Sequence, residues 1–275
     1  MTSIQYGASL AKGVFPIAGA AGTTALRVGL AALILAVTTR LWRFRLNSRQ
    51  LQAVSIYGAS LGGMNLLFYF SLEKIPLGIA VAVEFTGPLA VALISTRKPV
   101  DLLWAFLAAI GIYLILPLDD TAMVSLSGIL LALGAGMFWA LYIVFGKRSS
   151  GLIPSHFATA YGMIFAAVVT LPFGIYFHTD QAFDSSFMVK ALLIALLSST
   201  IPYSLEMRAL QALPAKTFGI LMSLEPAVAA LIGAMFLKEQ LTPPQWIALL
   251  SIMAASAGAT WTAKPAPVKE LDKNS

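Results

Sequence analysis

Apolar residues fill long stretches of the chain, separated by short segments that contain charged residues, proline or glycine. A helix rises about 1.5 Å per residue, so about 20 apolar residues cross the roughly 30 Å hydrocarbon core of a bilayer. The pattern predicts an all-α integral membrane protein with ten transmembrane helices. They cover about residues 1–16, 23–41, 52–72, 76–95, 101–118, 128–146, 155–177, 187–209, 214–236 and 243–262.

Local breakers separate the predicted helices. Pro76, Pro214 and Pro243 stand where helices begin, and the runs Gly19–Gly22 and Asp119–Asp120 predict turns. The first stretch ends at Pro16, so it reaches only about 24 Å. Since it also lacks a basic segment and a cleavage site, it does not resemble a signal peptide. We expect the chain to begin inside its first helix.

Composition supports a membrane location. Hydrophobic residues make up 59% of the chain and charged residues 11%, against roughly 25% charged in soluble domains. The mean hydropathy is +0.84. The net charge of +6 comes without the basic clusters and exposed aromatics of a nucleic-acid interface, so no nucleic-acid partner is expected. The absence of cysteine excludes disulfides and thiolate metal sites, and no metal or other cofactor is predicted.

Loop charges predict the orientation. Counting loops alternately, 13 basic residues fall on the side of the amino terminus and three, Lys74, Lys190 and Lys238, on the other. Positively charged loops stay in the cytoplasm, so both termini are expected there. The polar tail 264–275 would be a disordered cytoplasmic segment. The sequence leaves monomer and dimer open.

The two halves of the chain resemble each other. A shift of 138 positions places Pro76 on Pro214 and Pro88 on Pro226. Five helices per unit is an odd number, so residues 1–120 and 121–263 are expected to form two inverted five-helix repeats. Inverted repeats are typical of transporters that hold substrate near the middle of the membrane.

Charged residues inside the predicted helices are candidates for function because burying them in a bilayer is costly. Glu84 and Glu225 each lie near a proline, which can open a helix. Each glutamate has two interpretations: a proton or ammonium site, or a carboxylate paired with a basic residue. Arg27 and Lys12 are the candidate charge partners. Arg27 has the further alternatives of reaching the membrane surface or binding a substrate carboxylate.

Several predicted helices also carry aromatic and polar residues at helical spacing, which suits either a small-molecule pocket or ordinary packing. The candidate substrate-binding residues outside the two glutamates are Tyr57, Met64, Asn65, Phe68, Tyr69, Trp139, Tyr142, Ser199, Tyr203 and Glu206. Small residues four apart, as in Gly58 and Gly62, indicate close helix packing. The two histidines lack metalloprotease spacing and there is no phosphate-binding glycine loop, so no enzyme activity is predicted.

Longer motifs resemble a known family. The runs Gly87–Leu93 and Glu225–Leu231, with Trp139–Tyr142, resemble the EamA family of the drug/metabolite transporter superfamily. The stretches Ser9–Lys12, Gly62–Asn65, Pro76–Pro88 and Pro202–Met207 resemble its bacterial exporters of threonine and homoserine. The resemblance spans essentially the whole chain.

The resemblance implies ten helices in two inverted repeats, an inner-membrane location and efflux of amino acids or related metabolites. It also implies that the first helix starts before Met1. We expect a secondary exporter of small amino acids that works by alternating access. Aromatic or other hydrophobic amino acids, drugs and other metabolites stay open as substrates. A passive facilitator stays open as an alternative to a secondary exporter.

Overall fold

The structure is a computed structural model that describes residues 1–96, 98–116, 124–176, 185–212 and 215–263. Within these ranges the chain consists of helices joined by short loops and forms no β-strand. The predicted turn at Asp119–Asp120 and the tail 264–275 lie outside the described residues. The helices are α1 Thr2–Thr38, α2 Ser48–Leu72, α3 Leu77–Glu84, α4 Thr86–Thr96, α5 Val100–Ile115, α6 Leu126–Ser150, α7 Ser155–Tyr176, α8 Ser185–Ala195, α9 Ile201–Ala212, α10 Ala215–Met222, α11 Glu225–Phe236 and α12 Pro243–Thr262.

Within the described ranges, seven helical segments are long and apolar enough to cross a membrane. They are Thr2–Thr38, Ser48–Leu72, Leu77–Ile94, Leu126–Ser150, Ser155–Tyr176, Phe187–Glu206 and Thr217–Phe236, and Val100–Ile115 is a shorter apolar helix. The chain is therefore an integral membrane protein. Polar caps begin several helices: Asn47 and Gln50 form a reciprocal capping box on α2, and Ser125 accepts from the Gly128 N–H at the start of α6.

Helix α1 consists of two helices joined across a kink at Gly19. Gly19 has φ 64° and ψ 172°, a conformation that is essentially restricted to glycine. The next N–H, that of Ala20, donates to a carboxylate oxygen of Glu73 at 2.8 Å. A carboxylate is favourable at a helix amino terminus. The predicted break in the run Gly19–Gly22 is thus present, but it is confined to Gly19 and not spread over four residues.

Prolines divide two further predicted helices. A proline cannot donate to the carbonyl four residues earlier and also clashes with it. Four residues before Pro88 is Glu84, where α3 ends, and four before Pro226 is Met222, where α10 ends. The predicted continuous helices 76–95 and 214–236 are therefore each broken in two. The breaks lie beside Glu84 and Glu225.

Glycines bring α2 close to α7. A Cβ on Gly62 would lie 2.9 Å from both the Ala166 carbonyl oxygen and the Val169 Cβ, so only a glycine allows this approach. Gly58 faces α7 in the same way, next to Gly162. The packing predicted from this pair of glycines is confirmed. Elsewhere, α5 and α12 pack against each other and expose apolar side chains on their outer faces.

Candidate functional site

A cavity of about 250 Å³ lies between helices of both halves of the chain. Polar and aromatic side chains from six helices, together with Met64, form half of its lining. They are Gln5 and Arg27 of α1, Met64, Asn65, Phe68 and Tyr69 of α2, Glu84 of α3, Trp139 and Tyr142 of α6, Tyr203 and Glu206 of α9, and Glu225 of α11. Ser198, Phe218 and Met222 also line it. The cavity follows the first two turns of α1 and reaches the surface beside Leu205 and Leu221, which are 56% and 43% exposed.

The guanidinium of Arg27 is almost completely buried, with 2% of the residue exposed. It donates to Ser199 Oγ at 2.9 Å and to Asn65 Oδ1. Its central carbon lies 4.5 Å from the centroid of the Tyr69 ring. Among the described residues, no carboxylate lies within ion-pair distance of this guanidinium, and its Nε has no hydrogen-bond partner.

Backbone geometry explains one acceptor of Arg27. Pro202 cannot donate to the carbonyl of Ser198, four residues earlier. The chain forms a π-helical turn over Leu196–Thr200 between α8 and α9, and the Ser198 carbonyl accepts from Arg27 at 3.1 Å. Such turns often occur at functional sites because they redirect side chains and free backbone groups. The predicted helix 187–209 is therefore present as a helical span, and it contains a π-helical turn beside the cavity.

Three carboxylates face the cavity. Glu84 and Glu225 are 6% and 4% exposed, and Glu206 is partly buried. Gln5 Nε2 donates to Glu225 Oε1 at 2.9 Å, which links the first turns of α1 to the start of α11. The cavity thus combines one buried cation with three acidic groups, which gives it binding groups for both ends of a zwitterion.

Aromatic rings form much of the remaining wall. Trp139 packs edge-on against Phe85, with ring centroids 5.3 Å apart, at the break between α3 and α4. Tyr142 lies between Tyr57, at 5.1 Å, and Tyr203, at 6.3 Å. The hydroxyl of Tyr203 lies 3.4 Å from the side chain of Asn65.

Two predicted binding residues lie outside the cavity lining. Tyr57 is seven residues before Met64, about 10 Å along the helix, so it stacks on Tyr142 from outside the cavity. Ser199 binds Arg27, while Ser198 takes the place beside the cavity. The π-helical turn changes the register there, so the predicted spacing of Ser199, Tyr203 and Glu206 does not place all three on one face.

Lys12 is also placed differently from the prediction. It was a candidate partner of Glu84 or Glu225, but its Nζ contacts Glu239 Oε1 at 2.8 Å. The same nitrogen donates to the carbonyl of Ile75 at 3.0 Å. Lys12 lies about two turns further along α1 than Gln5, so it is beyond the cavity.

Sequence analysis missed Gln5, Ser198 and Glu239. Gln5 is an isolated polar residue in an apolar stretch, which is a usable signal. The role of Ser198 depends on Pro202 four residues later, which is also visible in the sequence. Glu239 gave no signal, because it lies in a predicted loop and finds its partners only after the two halves pack together.

Comparison with known proteins defines the class: this is a membrane transporter and not an enzyme. The sequence model of the EamA-like transporter family matches residues 126–261. The chain is 51% identical over 276 residues to the threonine/homoserine exporter RhtA of Escherichia coli (strain K12), covering 100% of this chain and 93% of that protein. It is 50% identical over 274 residues to the protein of the same name from Salmonella typhimurium (strain SL1344), covering 99% and 92%. The chain belongs to the EamA-like transporter family.

A solved crystal structure shares the fold. It superposes with a TM-score of 0.60 at 18% sequence identity, over 96% of this chain and 99% of that chain. At this identity the similarity concerns the fold alone.

Proposed function

We propose that the protein is a secondary exporter that moves threonine, homoserine or a similar small amino acid out of the cytoplasm by alternating access. Two relatives that are about half identical over nearly their full lengths are named threonine/homoserine exporters. The cavity wall carries both a cation and carboxylates, which could bind the two charged groups of an amino acid. The substrate carboxylate would bind a positive group, and its ammonium a glutamate or an aromatic face.

The observation that carries this proposal is the buried charge of Arg27. The guanidinium is held by serine and asparagine oxygens and by the Tyr69 ring, without an anionic partner among the described residues. Burying a cation without a direct ion-pair partner is costly. A substrate carboxylate in the cavity would supply that partner, and a planar guanidinium suits it geometrically.

The positions of the helix breaks support two repeats, over residues 1–120 and 121–263. The 138-residue shift places α3, Leu77–Glu84, directly on α10, Ala215–Met222. The family model matches a segment of about one such unit, residues 126–261. A count of ten helices follows if the two arms of α1 are separate spans and α5 and α12 also cross. An odd number of helices per unit makes the repeats inverted, as in many transporters.

The cavity is closed at one end by contacts between the halves. Glu239, in the loop before α12, binds Lys12 and accepts from the Leu77 N–H at 2.8 Å. The other end, beside the first turns of α1, reaches the surface at Leu205. With both termini in the cytoplasm, as the loop charges favour, this conformation would be inward-facing and Glu239 would close the outer side. A bacterial inner-membrane location is proposed with this orientation.

A passive facilitator is the second candidate function, since it needs the same cavity and the same closing contacts. The partly exposed apolar residues of the lining, such as Leu205 and Phe218, would also suit larger hydrophobic amino acids or drugs.

Efflux from proteoliposomes tests these candidates. Vesicles are loaded with labelled threonine, homoserine, methionine or phenylalanine, and a proton gradient is imposed or omitted. We expect selective efflux of threonine and homoserine, with uphill movement when the gradient is present. Gradient-independent, downhill movement alone would indicate a facilitator. If none of the four amino acids moves, the amino-acid assignment is wrong. Gln52→Leu, an exposed position on α2, is a matched control expected to behave as wild type.

A further inference from the structure

Gln5 and Glu225 meet on the wall of the cavity although they are 220 residues apart. Both residues are 4% exposed. The amide nitrogen of Gln5 donates to one carboxylate oxygen of Glu225 at 2.9 Å. This hydrogen bond uses Oε1 of Glu225 and holds the two side chains side by side.

The two remaining oxygens have no partner. Glu225 Oε2 and Gln5 Oε1 are buried and have no hydrogen bond to any described residue. Buried acceptors are nearly always satisfied in folded proteins, so two unpaired acceptors on side chains that contact each other need an explanation. Because both residues line the cavity, a donor from a bound ligand would complete them.

The chemistry of these oxygens selects the ligand group. Two acceptors on hydrogen-bonded side chains, one of them a carboxylate oxygen, repel a carboxylate and attract a cationic donor. An ammonium group offers three N–H donors and a positive charge, so it has donors for both oxygens. On the same cavity, Arg27 offers an unpaired Nε–H and a positive charge without an ion-pair partner among the described residues.

We propose that Gln5 and Glu225 together form the subsite that binds the α-ammonium group of the transported amino acid. The proposal rests on the export function proposed above and assigns one end of the substrate to named atoms. Gln5 orients the Glu225 carboxylate through its amide nitrogen and contributes its own oxygen to the ammonium. Ligands without the ammonium group lose both contacts, so this subsite selects amino acids over hydroxy acids.

A pair of ligands isolates this contact. Threonine and 2,3-dihydroxybutyrate differ only in that a hydroxyl replaces the ammonium. The dissociation constants of both are measured with purified full-length protein in lipid nanodiscs, for wild type, Glu225→Gln and Gln5→Leu. The control is again Gln52→Leu, which removes an exposed glutamine from α2.

We expect wild type and Gln52→Leu to prefer threonine by about tenfold or more, the range of a charge-assisted contact. Glu225→Gln should reduce this preference to about twofold by weakening threonine alone. Gln5→Leu should reduce the preference for threonine to a value between those of wild type and Glu225→Gln. Binding of 2,3-dihydroxybutyrate then reports that each variant is folded.

An equal loss for both ligands in Gln5→Leu, or an unchanged preference in both variants, would overturn the subsite. If Glu225→Gln does not fold, Gln5→Leu decides. Efflux of threonine by wild-type proteoliposomes is measured in parallel. Efflux with an unchanged ligand preference rejects only the subsite, whereas a wild-type protein that neither binds nor moves threonine rejects the proposed function and the subsite with it.

Discussion

The Nζ of Lys12 lies 2.8 Å from Oε1 of Glu239, an ion pair that joins the first arm of α1 to the loop before α12. Their side chains are 24% and 12% exposed. The second oxygen of Glu239 accepts from the Leu77 N–H at 2.8 Å. One carboxylate therefore holds three segments together beyond the end of the cavity.

Neutralising this carboxylate should open the closed end more often. The chain has no cysteine, so Ala8→Cys places a single thiol on the cavity wall. With Glu239→Gln, we expect its labelling by an impermeant maleimide from the outer side to rise about fivefold. A fivefold change corresponds to about 1 kcal/mol in the free energy of opening. This is less than the loss of a fully buried ion pair would give, because Lys12 and Glu239 are partly exposed. Lys190→Gln, which removes an exposed charge, is the control, and equal rates in both variants would contradict closure by Glu239.

Arg27→Lys should weaken threonine binding by about tenfold or more. Lysine keeps the charge but presents one nitrogen, so it cannot satisfy Ser198, Ser199 and Asn65 and still bind a carboxylate with two donors. Equilibrium binding in nanodiscs measures the loss. Arg49→Lys, at an exposed position, should bind as wild type. Wild-type affinity in Arg27→Lys would show that the guanidinium does not recognise the carboxylate.

Glu84 provides a test of proton coupling. Its carboxyl lies on the cavity wall at the break between α3 and α4, a position that changes if the halves move. If this carboxyl carries the proton, Glu84→Gln removes the effect of an imposed proton gradient on threonine efflux and leaves exchange of threonine intact. The two rates are measured in the same proteoliposomes. A gradient effect equal to wild type would exclude Glu84 as the proton carrier.

Gly62→Ala should destabilise the protein by about 1–3 kcal/mol through overpacking. Its Cβ would lie 2.9 Å from the Ala166 carbonyl oxygen, and both groups belong to packed helices. A Cβ on Gly13 meets no atom within 4 Å, so Gly13→Ala is the matched control and is expected to be neutral or slightly stabilising. Apparent melting temperatures in detergent compare them. A Gly62→Ala protein as stable as Gly13→Ala would contradict the close approach of α2 and α7.

Gly19→Ala tests the kink of α1 through backbone strain, whereas Gly62→Ala acts through a steric clash. Nothing lies within 4 Å of a Cβ on Gly19, so the substitution causes no clash. The dihedrals φ 64° and ψ 172° nevertheless disfavour any residue with a Cβ, by about 1–3 kcal/mol. We expect a lower melting temperature than for Gly13→Ala. Equal melting temperatures would mean that Gly19 does not hold this conformation in the membrane.

Local rules explain which parts of the fold were predictable. The steric effect of proline acts four residues back, so Pro88 and Pro226 mark the breaks at Glu84 and Met222 within a few residues. Glycine at position 19 likewise marks the kink. Long apolar stretches predict spans because the membrane sets their length. Each of these signals lies within one segment of the chain.

The partners of the site residues depend on contacts that no local rule contains. Gln5 pairs with Glu225 across 220 positions, and Lys12 pairs with Glu239 across 227. Lys12 pairs with Glu239 and not with the buried glutamates because it lies about two turns further along α1 than Gln5. Tyr57 was assigned to the pocket from its helical face alone, and its distance along the axis excludes it from the lining. Residue type identified the candidate residues, but the position of each along its helix axis decided which of them line the cavity.

The shortness of α3 has a mechanical consequence. Its amino-terminal N–H, at Leu77, is held by Glu239, and its last residue is Glu84 on the cavity wall. Eight residues of helix span only about 12 Å. We expect a displacement of the carboxylate at one end to be transmitted to the outer contact at the other. Substitutions at Glu239 should alter substrate affinity as well as the rate of opening, since α3 connects the Glu239 contact at Leu77 to Glu84 on the cavity wall.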